Sequence, residues 1–425
     1  MRLTRISRRQ LMYVPVLIGA TALLFAKSLV YARLLPVDGF GALNQALLVA
    51  ATFASFAGAG LQLLAHKLLP QYHGAGDTES ADMLLSSAVG VFSIAVAGAA
   101  AAIGIAWLGG WIHGVSVWYA TLLCAVSQYL FLLKLIEIKS ELRFLRHGLL
   151  SLLRALFLLC AGAAAAAVWK DIVAVLVVEG AVTLVLAGEM FGRVRGWPIV
   201  RRGVKSQSQR QWLMRHLPAA LRLLWLNSTV TVLYALDRWA GIALLTDREY
   251  GIYALGLIVV VVLETLQMVV NVSAYPLMGR MIAAGEHRRA FRFATAATLI
   301  VATGTAVFYA PFVILLDDLV RAWLPEYAEA TSIIKVVAVA GALRLADFYG
   351  SFAILCDQER RLAMHFGVLI GFLVVTVAVI RATVAGRVDP GQIALLAVMI
   401  SLCAFFVNLN VAWRALQSRS QPVNA

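Results

Sequence analysis

A few charged and amide side chains interrupt the long apolar runs of this 425-residue chain, and they mark where chemistry could sit. A charge near the centre of a membrane-spanning helix costs roughly 2.5–3.5 kcal/mol on insertion scales, so each one needs a reason. In the first apolar run Lys27 is followed one turn later by Tyr31. In the seventh, Asn227, Thr231, Tyr234 and Arg238 fall at i, i+4, i+7 and i+11, a single helical face, with Asp237 beside them. In the eighth, Glu264, Gln267, Asn271 and Tyr275 form a similar stripe, and the tenth offers Arg344, Asp347 and Ser351. Three polar stripes in three helices of the second half suit the wall of a wet cavity. Lys27, Arg238 and Arg344 would supply it with positive charge. Glu264, Asp347 and Asp237 would be the carboxylates that take up a proton or a cation. Glu264 lies about 14 residues from the end of its run, near the bilayer middle at about 1.5 Å of rise per residue. A plainer reading stands beside this one. Arg344 and Asp347 are one turn apart and would neutralise each other, and Arg238 would snorkel toward the membrane surface. Lys134, Glu137, Glu179, Glu189, Arg154 and Arg222 lie nearer the run ends or lack a matching stripe, and are expected to be structural or interfacial.

The elements that must position these groups are helices crossing a membrane. The chain is 62% hydrophobic and 14% charged, with a mean hydropathy of +0.85. Apolar runs of 18 residues or more recur along its length, and the period-2 alternation of an outer-membrane barrel is absent. The sequence predicts an all-α polytopic membrane protein with about twelve transmembrane helices, at 11–34, 42–64, 83–108, 115–136, 148–168, 172–191, 217–245, 250–274, 293–316, 331–355, 366–385 and 392–413. The N-terminal arginines before the first run imitate a signal peptide, but that run is too long for one, and an uncleaved first helix is expected. The two ends of the chain and the even-numbered connections hold 23 of the 36 Lys and Arg residues, against five in the odd-numbered connections. That asymmetry predicts cytoplasmic termini. The net charge of +14 follows from the same bias and favours anionic lipid headgroups. Basic residues scattered over membrane loops argue against nucleic-acid binding.

Two stretches share a layout. Leu34-Leu35 and Phe40-Gly41 recur as Leu244-Leu245 and Tyr250-Gly251, 210 residues on, and Ala75-Gly76-Asp77 recurs as Ala284-Gly285-Glu286, 209 residues on. A duplicated unit of six helices follows, each copy entering the membrane in the same direction, as in parallel-repeat transporters. The expected organisation is an N-terminal six-helix bundle (1–195), a basic cytoplasmic linker (196–216) and a C-terminal six-helix bundle (217–425). The linker segment from Arg201 through Trp212 would set topology or recruit lipid and substrate at the headgroup level. Aligned through the 210-residue offset, Lys27 matches Asp237, and a contact between them is a further expectation.

The four cysteines (Cys124, Cys160, Cys356, Cys403) lie in or at the ends of apolar runs without CxxC spacing and read as structural thiols. The seven histidines form no pair at metal-ligand spacing, and there is no GxxxxGK[ST] phosphate loop, so no cofactor is expected.

Three segments together resemble the Wzx-type polysaccharide flippases of the multidrug/oligosaccharidyl-lipid/polysaccharide exporter (MOP) superfamily. They are Leu34-Leu-Pro-Val-Asp-Gly-Phe-Gly41; Asp237-Arg238 with Gly251-Ile-Tyr-Ala254 and Pro276; and Leu324-Pro-Glu-Tyr-Ala-Glu-Ala330. The resemblance implies two six-helix bundles around a central cavity that opens alternately to each side of a bacterial inner membrane. It implies that an undecaprenyl-pyrophosphate-linked sugar is moved from the cytoplasmic to the outer leaflet for cell-surface polysaccharide synthesis, driven by a proton or sodium gradient. Lys27, Arg238 and Arg344 would then meet the pyrophosphate, since the planar guanidinium fork binds phosphate oxygens bidentately. Asn227, Thr231, Tyr234, Gln267 and Asn271 would line the cavity, and a polysaccharide polymerase or ligase would be a neighbour in the pathway. A cation-coupled multidrug or metabolite antiporter of the same superfamily is the alternative. An enzyme, such as a membrane glycosyltransferase, would need an outward domain, and the outward connections are all under about 20 residues, with only Asp317-Asp318 as an acidic pair.

Overall fold

The computed structural model of the chain describes residues 8–188, 205–383 and 388–420. Among them every regular element is helical. The helices are α1 (Arg8–Leu34), α2 (Val37–Ala57), α3 (Leu61–Ala75), α4 (Thr78–Leu108), α5 (Val115–Ser140), α6 (Phe144–Trp169), α7 (Ile172–Leu186), α8 (Lys205–Leu244), α9 (Asp247–Ala283), α10 (His287–Trp323), α11 (Ala330–Leu345), α12 (Tyr349–Leu355), α13 (Glu359–Thr383) and α14 (Pro390–Ser420). Ten of them are long and apolar enough to cross a bilayer, and large apolar side chains such as Val307, Phe308 and Ile314 stand exposed along them. In water such a surface would aggregate; in lipid every backbone group of a helix is already satisfied. The protein is an all-α, multi-pass membrane protein.

Two expected spans differ in form from a single helix. The run expected at 42–64 ends at Ala57, turns through Gly58-Ala59-Gly60 and restarts as α3. Gly60 has φ +78°, and a Cβ there would lie 2.1 Å from the Ala220 carbonyl oxygen, so only glycine lets the chain turn at this point. The run expected at 331–355 is broken into α11 and α12 by residues 346–348. The sixth expected span survives as the 15-residue α7, and its continuation past residue 188 lies outside the described residues, as do residues 196–204 of the basic linker, whose remainder opens α8.

Contacts divide the chain into two compact units, Met1–Trp225 and Leu226–Ala425, with the boundary inside α8. Each has its own core. In the first, α1 packs on α6, and α5 packs on α2 and α7. Phe92 stacks on Tyr129 with ring centroids 3.8 Å apart, and the Tyr129 hydroxyl donates to the Ala88 carbonyl. In the second, α9 packs on α11, and α11 on α14, around Phe348, Phe352 and Met278.

The shared layout in the sequence has a structural counterpart. The first helix of each pair ends at Leu34 or Leu244 and the next begins three residues later. The second junction is capped by polar side chains: Thr246 and Glu249 form a reciprocal capping box that satisfies two orphan N–H groups at the start of α9. Asp77 caps α4 by accepting from the Ser80 N–H at 3.0 Å, and hydrogen bonds from the Ser80 hydroxyl and N–H together hold its carboxyl below the usual carboxylate range. α4 and α10 start at 78 and 287, the 209-residue offset of the second sequence match.

Candidate functional site

The break between α11 and α12 is the structural centre of the second unit's polar cluster. A helix interrupted at membrane depth frees N–H and C=O groups that lipid cannot satisfy, so the protein must. Asp347 does much of this. Its Oδ1 accepts from the N–H groups of Tyr349 and Gly350 at 3.2 and 3.3 Å. Its own carbonyl accepts from Gln267 Nε2 of α9 at 3.1 Å, and Asn408 of α14 donates through Nδ2 to its Oδ2. Gly350 leaves room for Asn408, whose amide nitrogen would lie 3.1 Å from a Cβ there. Ser351 Oγ reaches Asn271 Oδ1 at 3.5 Å.

Arg344 closes α11 and is 4% exposed. Its guanidinium donates to Glu264 Oε1 at 2.7 Å, to the Ser401 hydroxyl at 3.0 Å and to the Tyr234 carbonyl at 3.3 Å. It also stacks over the Tyr234 ring at 4.7 Å. Its Nη2 lies 3.9 Å from Asp237 Oδ1. Asp237 is wholly buried and accepts at Oδ2 from the Tyr253 hydroxyl at 2.5 Å. Arg344 and Asp347, one turn apart in sequence, therefore have separate partners, because the helix break turns their side chains to different neighbours.

Toward the accessible side of the cluster the charges are looser. The Glu264 side chain is 34% exposed and lies 4.0 Å from Arg238 Nη2, whose side chain is 22% exposed. Arg238 Nε has no hydrogen-bond partner among the described residues, and neither have Asp237 Oδ1 and Asn408 Oδ1. Buried polar atoms are nearly always satisfied, so three orphans in one cluster set it apart from an ordinary packed core. The cluster holds three carboxylates (Asp237, Glu264, Asp347) and two guanidiniums (Arg238, Arg344).

Asn227 and Thr231 stand apart from it. They are exposed on α8 and bond to each other, Asn227 Nδ2 donating to Thr231 Oγ1 at 3.3 Å.

Lys27 has a different setting, in the first unit. Its ammonium donates to Glu179 Oε1 at 2.6 Å, with the two side chains 10% and 6% exposed. It also lies 5.2 Å from the Tyr31 ring centroid. The Tyr31 hydroxyl donates to the Leu158 carbonyl, tying α1 to α6. Glu179 sits on α7, so the ion pair joins α1 to α7.

The sequence reading did not include Glu179, Tyr253, Ser401 or Asn408 among the candidates. Ser401 and Asn408 are seven residues apart in an otherwise apolar run, the same one-face signal that identified the other stripes. Glu179 carried no such stripe.

No protein-family model and no curated protein matches the chain. Solved structures do. An inward-facing multidrug resistance MATE family transporter of the MOP superfamily superposes with a TM-score of 0.63 at 12% identity, covering 94% of this chain and 96% of that one. The lipid II flippase MurJ, in an inward closed conformation, gives 0.64 at 11%, covering 96% and 90%. The Vibrio cholerae MATE transporter VcmN, in its bent form, gives 0.56 at 14%, covering 97% and 98%. The chain shares the fold of these solved structures. Identities this low speak for the fold alone. Within the MOP fold these neighbours are transporters and a flippase rather than enzymes.

Proposed function

We propose that this chain is an alternating-access flippase that carries an undecaprenyl-pyrophosphate-linked oligosaccharide from the cytoplasmic to the outer leaflet of a bacterial inner membrane, with both its termini in the cytoplasm. The observation that carries the reading is Arg238, a partly accessible guanidinium 4.0 Å from a partly accessible carboxylate, whose buried Nε–H has no partner among the described residues. A pyrophosphate offers oxygens at the spacing of the guanidinium fork. Glu264 competes with it for Arg238, so a proton or cation taken up at Glu264 frees the guanidinium. The two occupancies are thereby linked, and linkage is reciprocal. Arg344 in the second unit and Lys27 in the first, each held in a buried ion pair, act in this scheme by fixing the helices of their own units and become phosphate ligands only where their carboxylate partners let go. A polysaccharide polymerase or ligase in the same membrane would use the flipped product.

A second reading is a cation-coupled antiporter for small molecules. It draws on the polar cluster of the second unit, where Asp237, Glu264 and Asp347 outnumber Arg238 and Arg344, which suits a cationic cargo.

Lipid analysis of a strain lacking the chain separates the two. The flippase reading expects one polyprenyl-linked sugar to accumulate on the cytoplasmic leaflet. The intact gene should relieve that accumulation, and the Arg238→Gln gene, at equal protein level, should not. An unchanged lipid-linked pool in a strain with no second flippase would count for the antiporter and against the flippase.

A further inference from the structure

α10 and α14 pack against each other and leave a groove of 950 Å³ in the second unit. That volume is at the upper end of the range for sites that bury a small ligand. On α10 its lining falls at 288, 291, 292, 295, 296 and 299, the i, i+3, i+4 progression of one helix face. The residues change character along that face. Arg288 and Arg292 stand at the start, and Leu299 lies 11 residues past Arg288, about 16 Å deeper along the helix axis. On α14, Trp413 and Leu416 close the other wall, with the Phe291 and Trp413 ring centroids 5.7 Å apart.

Charge decides what fits. Arg289 is paired with Glu286 at 3.0 Å, whereas among the described residues neither Arg288 nor Arg292 has an ion-pair partner. Two free guanidiniums one turn apart over an apolar, aromatic-walled groove complement a molecule with a phosphate at one end and an alkyl chain at the other. Trp and Tyr favour the level of the headgroups, and basic pockets between helices at that level bind acidic lipids. We propose that this groove is a binding site for an anionic glycerophospholipid of the surrounding leaflet, its phosphate on Arg288 and Arg292 and an acyl chain running past Phe291 toward Leu299. The groove also borders the broken helix, because the Phe291 ring lies 5.7 Å from that of Tyr349, the residue whose N–H Asp347 accepts. The assignment is independent of what the protein transports.

The test uses the full chain in mixed micelles containing phosphatidylglycerol or phosphatidylcholine brominated on the acyl chain. Bromine quenches tryptophan fluorescence on contact, and the component lost in Trp413→Phe reports this groove. Brominated phosphatidylglycerol should quench that component at a lipid fraction on the order of tenfold lower than brominated phosphatidylcholine does. Arg288→Gln/Arg292→Gln should remove the preference, and Arg288→Lys/Arg292→Lys should keep most of it. Unchanged size-exclusion profiles verify that both variants fold. Equal quenching by the two lipids, or a preference that survives the Gln variant, overturns the proposal. No quenching by either means that something other than lipid fills the groove, and also overturns it. Relief of quenching by undecaprenyl phosphate at lower fractions than by unlabelled phosphatidylglycerol reassigns the groove to a polyprenyl chain and ends the phospholipid assignment.

Discussion

Arg344→Gln should destabilise the protein mainly by stranding Asp237, and the size of that effect follows from the geometry. Asp237 is 0% exposed and Arg344 4% exposed, with their charged atoms 3.9 Å apart. Two unit charges at that separation and an effective dielectric near 20 attract by about 4 kcal/mol. Removing one member of a buried pair typically costs about 3–5 kcal/mol, because the survivor keeps its desolvation penalty without its partner. Glu264 also loses a 2.7 Å charge-assisted bond, but it is 34% exposed and has Arg238 4.0 Å away, so water and Arg238 take over much of that role. The loss is therefore assigned chiefly to Asp237. The second unit holds 200 residues, from 226 to 425, and for that size each kcal/mol corresponds to about 2–4 °C of Tm. A drop on the order of 10 °C is expected, measured by size-exclusion chromatography after heating in detergent. In the variant Arg344→Gln/Asp237→Asn the stranded charge is gone, while the amide oxygen can still accept from Tyr253. About half the loss should return, a coupling of about 1.5–3 kcal/mol in a double-mutant cycle. Additive losses, or an Arg344→Gln protein melting within about 2 °C of the unaltered one, would refute the argument that Arg344 holds a buried carboxylate in place.

Glu264→Gln keeps an acceptor for Arg344 but removes the charge that competes for Arg238; transport should be abolished with membrane insertion and protein level unchanged, and normal transport at normal level would rule out a coupling role. Lys27→Met should cost about 3–5 kcal/mol by leaving Glu179 alone in the first unit's core. Lys27→Met/Glu179→Leu should recover most of it, and a double variant that melts no higher than the single one would mean that the ion pair is not what ties α1 to α7.

The helical class and the positions of the spans were legible because lipid leaves the chain few options: twenty apolar residues have to form a helix. What the spacing of polar residues could show was which of them share a helix face. In the structure Tyr234, Asp237, Arg238, Glu264 and Arg344 lie together, with Gln267 and Asn271 at the neighbouring break. Two things escaped that logic. Hydropathy averages over a window and is blind to a three-residue interruption, so 331–355 read as one helix although Asp347 caps a new one in its middle. Partner identity is set by packing between helices far apart in sequence. Nothing in the local sequence around Glu179 could connect it to Lys27, 152 residues away.

The helix break gives the second unit a property that the first lacks at the matching position. α5, at 115–140, is continuous and packs on α2 and α7 as α11 packs on α9 and α14. In the second unit the regular ladder lapses across residues 346–348: the Asp347 N–H still donates to the Arg344 carbonyl at 3.2 Å, and side chains do much of the rest, Asp347 on two N–H groups, Gln267 on a carbonyl and Asn408 on the carboxylate. Hydrogen bonds from side chains can be exchanged one at a time, whereas a continuous i→i−4 ladder opens only at the cost of several bonds together. A central helix jointed in this way can bend at a defined point while the rest of the bundle stays packed. The joint lies three residues beyond Arg344, which contacts Glu264 and Asp237 directly, so any change in the charge of Glu264 reaches the joint through one guanidinium. On the proposed alternating-access reading, Glu264 as the coupling group would be separated from the joint by a single residue, Arg344.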